Sequence, residues 1–233
     1  RKQADPKKRT DILDRIDREA ITRKLMEMLE IRDQEDQKIG ITKDHVSEIR
    51  EYLKALDLVV DCPAETTLPD ARPIEYVLFT QPGMRYCQAQ VLVHVLMGDP
   101  IFQSFSEWEK KLAADKILED VRGRMMEDIV LLDRMKTLRR GTRAFKLFLS
   151  RREFDMAIYR SEDTQANTCE EYEIKHSSER TPEQTRTLLD EALNKEVEEK
   201  YGHIARRCVI YRGESVTEGD VEYLNVQEYL KSL

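Results

Sequence analysis

The sequence predicts an α/β fold, and three observations carry that prediction. Apolar residues recur at helical spacing through much of the first 135 residues, and the period changes to two beyond Gly141. A capped helix then stands between two apolar strand segments in the C-terminal third. With 233 residues the chain is long enough for two modest domains with separate cores.

The chain starts at Arg1 without an initiator Met, and residues 1–10 are mostly basic and polar. That start is expected to be a poorly ordered leader cut from a longer protein. Residues 11–31 carry Ile12, Ile16, Ala20, Leu25, Met28 and Leu29 as a loose helical stripe. Thr42 is the cap of a second helix, in which Val46, Ile49, Leu53 and Leu56 recur at helical spacing. Leu58-Val59-Val60 and Tyr76-Val77-Leu78-Phe79 are strands around an excursion punctuated by Pro63, Pro69 and Pro73. Helix, turn, helix and hairpin is the order of a winged helix, which assigns residues 11–81 to a winged-helix-like domain.

Pro82-Gly83 breaks the chain and begins a helical connector, residues 82–105, with Val91, Leu92, Val95 and Leu96 expected inward. A long helical tract follows over 106–135, with Leu118, Val121, Met125, Ile129 and Leu132 at helical spacing and Trp108 expected to anchor its packing. Residues 144–149, 153–159 and 171–177 are predicted strands, the last two joined by a polar turn at 161–168. Thr181, Pro182 and Gln184 spell a helix start with a capping box, and Leu188, Leu189, Ala192, Leu193 and Val197 give that helix its apolar face. Residues 208–211 are a further strand and 226–230 a terminal helix. Residues 106–233 are expected to form one domain.

Composition excludes several classes. Cys62, Cys87, Cys169 and Cys208 lie 25, 82 and 39 residues apart, and neither they nor the four histidines have zinc-ligand spacing. A chain of this length without a secretory signal has no need of disulfides, so a reducing, cytoplasmic setting is expected. No apolar run approaches membrane-spanning length. Aromatic residues are 7% of the chain, too few for an extended base-stacking platform. With a net charge of -7, contact with nucleic acid must come from local basic patches. Residues 134–152 hold eight Lys or Arg and no acid, among them Arg139, Arg140 and Arg143. Such a run is either a solvated loop and hairpin or a phosphate-facing patch. On the second helix, Lys43, His45, Arg50 and Lys54 form either a groove-facing set or a surface packed on a neighbouring domain.

The acids and one lysine carry the chemistry. In Glu153-Phe154-Asp155-Met156-Ala157-Ile158, alternation puts Phe154, Met156 and Ile158 on one face and Glu153 with Asp155 on the other. In Tyr172-Glu173-Ile174-Lys175-His176 it pairs Glu173 with Lys175. If the two strands form a hairpin, Asp155, Glu173 and Lys175 converge. Two carboxylates so placed repel one another and favour a hard divalent cation, while a lysine beside them orients water or balances a phosphate. Alternating charge on a solvent face is the plainer alternative.

Five segments together resemble a known domain: Phe79-Thr80-Gln81-Pro82-Gly83, Gly123-Arg124-Met125-Met126-Glu127-Asp128, Glu153-Phe154-Asp155, Glu173-Ile174-Lys175 and Val209-Ile210-Tyr211-Arg212-Gly213. Over residues 40–233 the chain resembles the PD-(D/E)XK, restriction-endonuclease-like nuclease domain found C-terminal to an uncharacterised family of prokaryotic AAA-type ATPases. The resemblance implies Mg (or Mn) held by Asp155, Glu173 and the carbonyl of Ile174, with Lys175 as catalytic lysine. It also implies a small mixed sheet flanked by helices, Glu127 as a helix-borne acid and Gln184 beside the site; Gly123, one turn before Glu127 on the same helix face, leaves room for a close neighbour. DNA is the implied substrate, and an AAA-type ATPase module in the same full-length chain the implied partner. No GxxxxGK[ST] loop occurs in these residues, so ATP binding is not assigned to them. Many relatives of this fold keep binding without catalysis, and a silent DNA- or protein-binding regulatory module is the alternative function.

Overall fold

The computed structural model describes residue 40, residues 42–68, residue 74, residues 76–161 and residues 167–233, with the side chains of Lys43 and Ile101 excepted. The expected leader and first helix, and most of the polar turn at 161–168, lie outside those residues. Helix α1 (Lys43–Ala55) starts where Thr42 predicts. The Thr42 hydroxyl accepts from the His45 N–H at 3.3 Å, and His45 Nδ1 accepts from the Thr42 N–H at 3.4 Å.

Two compact units divide the chain. One takes in residues up to 56 and 83–121, the other residues 57–82 and 122–233. The first holds α1, α2 (Gly83–Met97), a 3-10 turn (Pro100–Phe102) and the N-terminal part of a single long helix, α3 (Glu107–Lys136). Its core gathers Leu96, Phe102, Phe105 and Ala113. Two expectations fail here. Leu96 is buried as expected and Val93 is buried beside it, but Val91 and Val95 of α2, also expected inward, face solvent. Trp108 is half exposed and anchors no core.

The second unit contains both sheets. Strands β1 (Val59–Cys62) and β3 (Tyr76–Phe79) pair antiparallel, with Val60 opposite Leu78, as the two apolar runs predict. Between them the Pro-punctuated excursion yields an unforeseen strand, β2 (Ala64–Thr66), which joins the main sheet parallel to β4 (Thr142–Phe148). The main sheet continues with β5 (Glu153–Arg160), β6 (Thr168–Ile174), β7 (His203–Tyr211), β8 (Val216–Glu218) and β9 (Val221–Asn225). Its seven strands run β2-β4-β5-β6-β7-β9-β8. The pairings β4–β5, β5–β6 and β8–β9 are antiparallel, while β6–β7 and β7–β9 are parallel. This is a mixed sheet flanked by helices, as expected.

Both faces of the sheet are buried. On one, Phe145, Leu147, Cys169, Val209 and Tyr223 pack with Leu193, Val197 and Tyr201 of α4 (Glu191–Tyr201). On the other, Ala144, Met156, Ile158, Tyr172 and Ile210 pack with Met126, Val130 and Leu131 of α3. Leu78 of the hairpin and Tyr229 of α5 (Val226–Lys231) join the same cluster. The helix expected from Thr181 begins later than predicted. Pro182–Gln184 is only a 3-10 turn, and α4 starts at Glu191, where the Asp190 carboxylate accepts from the N–H groups of Ala192 and Leu193 at 3.1 and 3.3 Å. Leu189 and Ala192 are consequently exposed, and Leu188, Leu193 and Val197 carry the burial. The close approach expected at Gly123 is absent among the described residues, since nothing lies within 4 Å of where its Cβ would stand.

Candidate active site

The sheet ladder is interrupted at one place, and the acids sit there. Phe145 pairs with Ala157 but Leu147 pairs with Phe154, so β5 carries one residue more than β4 across this step. The bulge corrects the simple alternation. Phe154 packs on the α4 side, whereas Met156 and Ile158 pack on the α3 side. The β5–β6 ladder ends at Met156 and Tyr172. Beyond that point the Asp155 carboxylate stands in for a ladder acceptor, and its Oδ2 accepts from the Ile174 N–H at 2.7 Å.

Lys175 lies one residue past β6, and its ammonium donates to Asp155 Oδ2 at 3.1 Å and also ion-pairs with Glu173. Both carboxylates are buried, at 7% and 6% exposed, while the lysine side chain keeps 35% of its surface. Burial, then the charge of Asp155, pushes the Glu173 carboxyl up to about 7, against the opposing pull of Lys175 and of the Thr187 hydroxyl. Burial alone would lower the pKa of Lys175. The charges of Asp155 and Glu173 overcome it and hold the ammonium above its ordinary range.

Glu127 enters from α3. Its carboxylate accepts from Lys146 Nζ at 2.9 Å, and its pKa is raised by burial and then by the charge of Asp155. Lys146 is the functional residue the sequence reading omitted. It is 5% exposed, occupies the β4 position opposite the bulge, and lies over the Tyr76 ring at 5.0 Å. A signal was present: a lysine flanked by Phe145 and Leu147 inside an apolar strand must bury its stem and find a partner.

The other expected residues stand apart from this cluster. Gln184 is buried, but its amide donates to Ser177 Oγ at 2.8 Å and to the Glu179 carbonyl at 2.9 Å, and its oxygen accepts from the Thr181 N–H at 3.1 Å. It braces the loop after Lys175. The basic run 134–152 is divided between the two ends of the sheet. Arg139 and Arg140 precede β4 at the end where Thr142 meets Arg160, whereas Arg151 and Arg152 close the β4–β5 turn at the acidic end. Arg143 is committed to structure, with Glu65 at 3.3 Å and the Tyr159 ring at 4.8 Å. On α1, Lys54 pairs with Glu51 at 3.1 Å, Arg50 is half-buried, and the side chain of Lys43 lies outside the described residues.

The donors near Lys175 are hard oxygens, and Asp155 and Glu173 share one ammonium between two carboxylates, a set that suits magnesium or manganese in kind. In number the set is short, for among the described residues no three His, Cys, Asp or Glu side chains are gathered to hold a metal ion. Comparison with protein-family models, with curated proteins and with solved structures finds no match to this chain.

Proposed function

We propose that the second unit is a PD-(D/E)XK-type nuclease domain hydrolysing phosphodiester bonds in DNA. The observation that carries this is the convergence of Asp155 and Glu173, from adjacent strands, on the ammonium of Lys175 where the ladder parts. Further support comes from the element order α3-β4-β5-β6-α4-β7, with two antiparallel pairings and then a parallel one, which suits a restriction-endonuclease-like core. The winged-helix reading rests on the Thr42 cap, α1 and the β1–β3 pair. A cytoplasmic setting and an AAA-type ATPase module in the full-length protein belong to the same proposal. Among the described residues, no helix is long and apolar enough to cross a membrane.

In this scheme Asp155, Glu173 and the Ile174 carbonyl hold the divalent ion, magnesium or manganese. When bound, that ion supplies Lewis-acid stabilisation of charge developing on the phosphate. Lys175 orients the attacking water and balances the phosphate charge, and the ammonium of Lys146 favours the ionised form of Glu127 against the opposing effects of burial and of Asp155. Lys175→Ala is expected to abolish magnesium-dependent cleavage of linear, supercoiled, branched or single-stranded DNA, and to lower the urea midpoint because it leaves the buried carboxylates of Asp155 and Glu173 without their shared ammonium. Glu173→Gln is expected to weaken manganese binding by calorimetry as well as cleavage. Wild-type protein that cleaves no DNA form would sink the nuclease assignment.

A second reading is favoured by a specific observation. Lys175 already pairs with both Asp155 and Glu173, and Lys146 with Glu127, so two ammoniums leave at most one excess negative charge among the three acids, less than a divalent ion neutralises. A catalytically silent regulatory module, binding DNA or protein, then keeps the fold without the reaction. Absence of magnesium or manganese binding together with intact DNA binding selects it.

A further inference from the structure

At the end of the sheet opposite the acids, an open cleft of about 480 Å³ is bordered by Arg134, Arg139, Arg140 and Arg160, with the hydroxyl of Thr142 among them. No carboxylate side chain lines it among the described residues. Arg160 has a carboxylate neighbour, Glu170 at 3.6 Å, but Glu170 also accepts from the Tyr172 hydroxyl at 2.5 Å. Among the described residues, four arginines thus line the cleft and Glu170 is the carboxylate paired with one of them, in a chain whose net charge is -7. A second observation is independent of charge. Arg134 Nε and the Tyr229 hydroxyl, both lining the adjoining cleft, are buried without a hydrogen-bond partner among the described residues. Buried donors left unpaired are costly; Arg134 lines both clefts, while Tyr229 lines only the adjoining one, which Glu170 and Glu228 also border.

We propose that this arginine cleft is a phosphate-binding site distinct from the acidic cluster, and that its ligand is a backbone phosphate of nucleic acid. Planar guanidinium groups match phosphate oxygens in pairs, and several converging on one cleft are suited to it. The cleft is not where the reaction would occur. Asp155 and Arg160 lie on the same strand five residues apart, which is about 16 Å at roughly 3.3 Å per residue. Its phosphate therefore positions nucleic acid, and the inference stands whether or not the acids cleave it.

The test is binding without cleavage. Anisotropy of a fluorescein-labelled 20-nucleotide DNA, single-stranded and duplex, is followed in EDTA across a salt series, with pyrophosphate as competitor. Arg139→Gln/Arg140→Gln is expected to weaken binding and to reduce the slope of log K against log salt by about 2. Arg151→Gln, at the acidic end, is expected to bind as wild type. If the double variant loses pyrophosphate but keeps DNA, the site stands and its phosphate comes from a small molecule. Unchanged affinity and slope for both probes overturn the proposal, as does an equal loss in Arg151→Gln. Because EDTA removes cleavage from the measurement, failure here and failure of the nuclease assignment are separate results.

Discussion

Lys146 is held by Glu127 at 2.9 Å, with both side chains largely out of water at 6% and 17% of their free surface. Lys146→Met strands the glutamate as a buried, unpaired charge. Breaking one side of such a pair costs about 3–5 kcal/mol, whereas removing both charges is often near neutral. Urea denaturation is expected to show that loss in Lys146→Met and to recover most of it in Lys146→Met/Glu127→Gln. A single-variant loss below about 1 kcal/mol, the scale of a surface pair, would contradict the burial. Glu171 gives a pH signature. It is fully buried with Arg207 Nε 3.7 Å away, and burial outweighs that guanidinium to push its carboxyl up to about 8, with the charge of Glu198 adding to the rise. A carboxyl whose folded pKa exceeds its unfolded value of about 4.3 favours the fold while protonated. Its contribution is complete below the unfolded value and disappears as pH rises through 8. Urea midpoints in EDTA are expected to fall from pH 5 to pH 8.5, and to fall less in Glu171→Gln; parallel profiles would remove Glu171 as the cause. At this scale the convergence of Asp155, Glu173 and Lys175 was legible from strand adjacency, although the alternation used to place Asp155 is broken by the bulge. For Lys146 the buried position inside an apolar strand was legible but its partner was not, because Glu127 comes from a helix 19 residues away in sequence.

The bulge in β5 does what a regular strand could not. It sends Phe154 towards α4 and releases Asp155 from the ladder to accept from Ile174, a placement that a strict period of two misassigns. The start of α4 was misassigned for another reason. Thr181 and Gln184 carry a genuine cap signal, but Gln184 spends its amide on Ser177 and Glu179, and the chain turns again before Asp190 caps the helix. Two adjacent cap signals cannot be ranked without knowing which loop needs bracing. The hairpin pairing was read correctly from its apolar runs, yet Leu78 packs with Met156, Ile158 and Ile210 of the main sheet in one cluster. Leu78 is 0% exposed, and Leu78→Ala is expected to cost about 2–5 kcal/mol. Hydrogen exchange should register that loss in β5 and β7 as well as in the hairpin. Exchange accelerated in β1 and β3 alone would mark the hairpin as an independent element.

Over the molecule as a whole, charge is sorted by position more than by amount. The second unit places its acids at one end of the main sheet and an arginine cleft at the other, a separation that the continuous basic run in the sequence conceals. The α/β class was legible because strands, caps and helical stripes each leave local patterns. The short strand β2 left none, since three residues between prolines acquire their identity only from β4. That strand has a further consequence. It forms one border of the seven-stranded sheet, and β8 forms the other, so each border is three residues long. An open border normally offers unpaired amides to any passing strand, including one from a second molecule. Here β5 to β7 are interior, β4 is covered by β2 over Lys146–Phe148, and neither three-residue border is long enough by itself to template strand addition. The sheet is thereby guarded against growing from molecule to molecule.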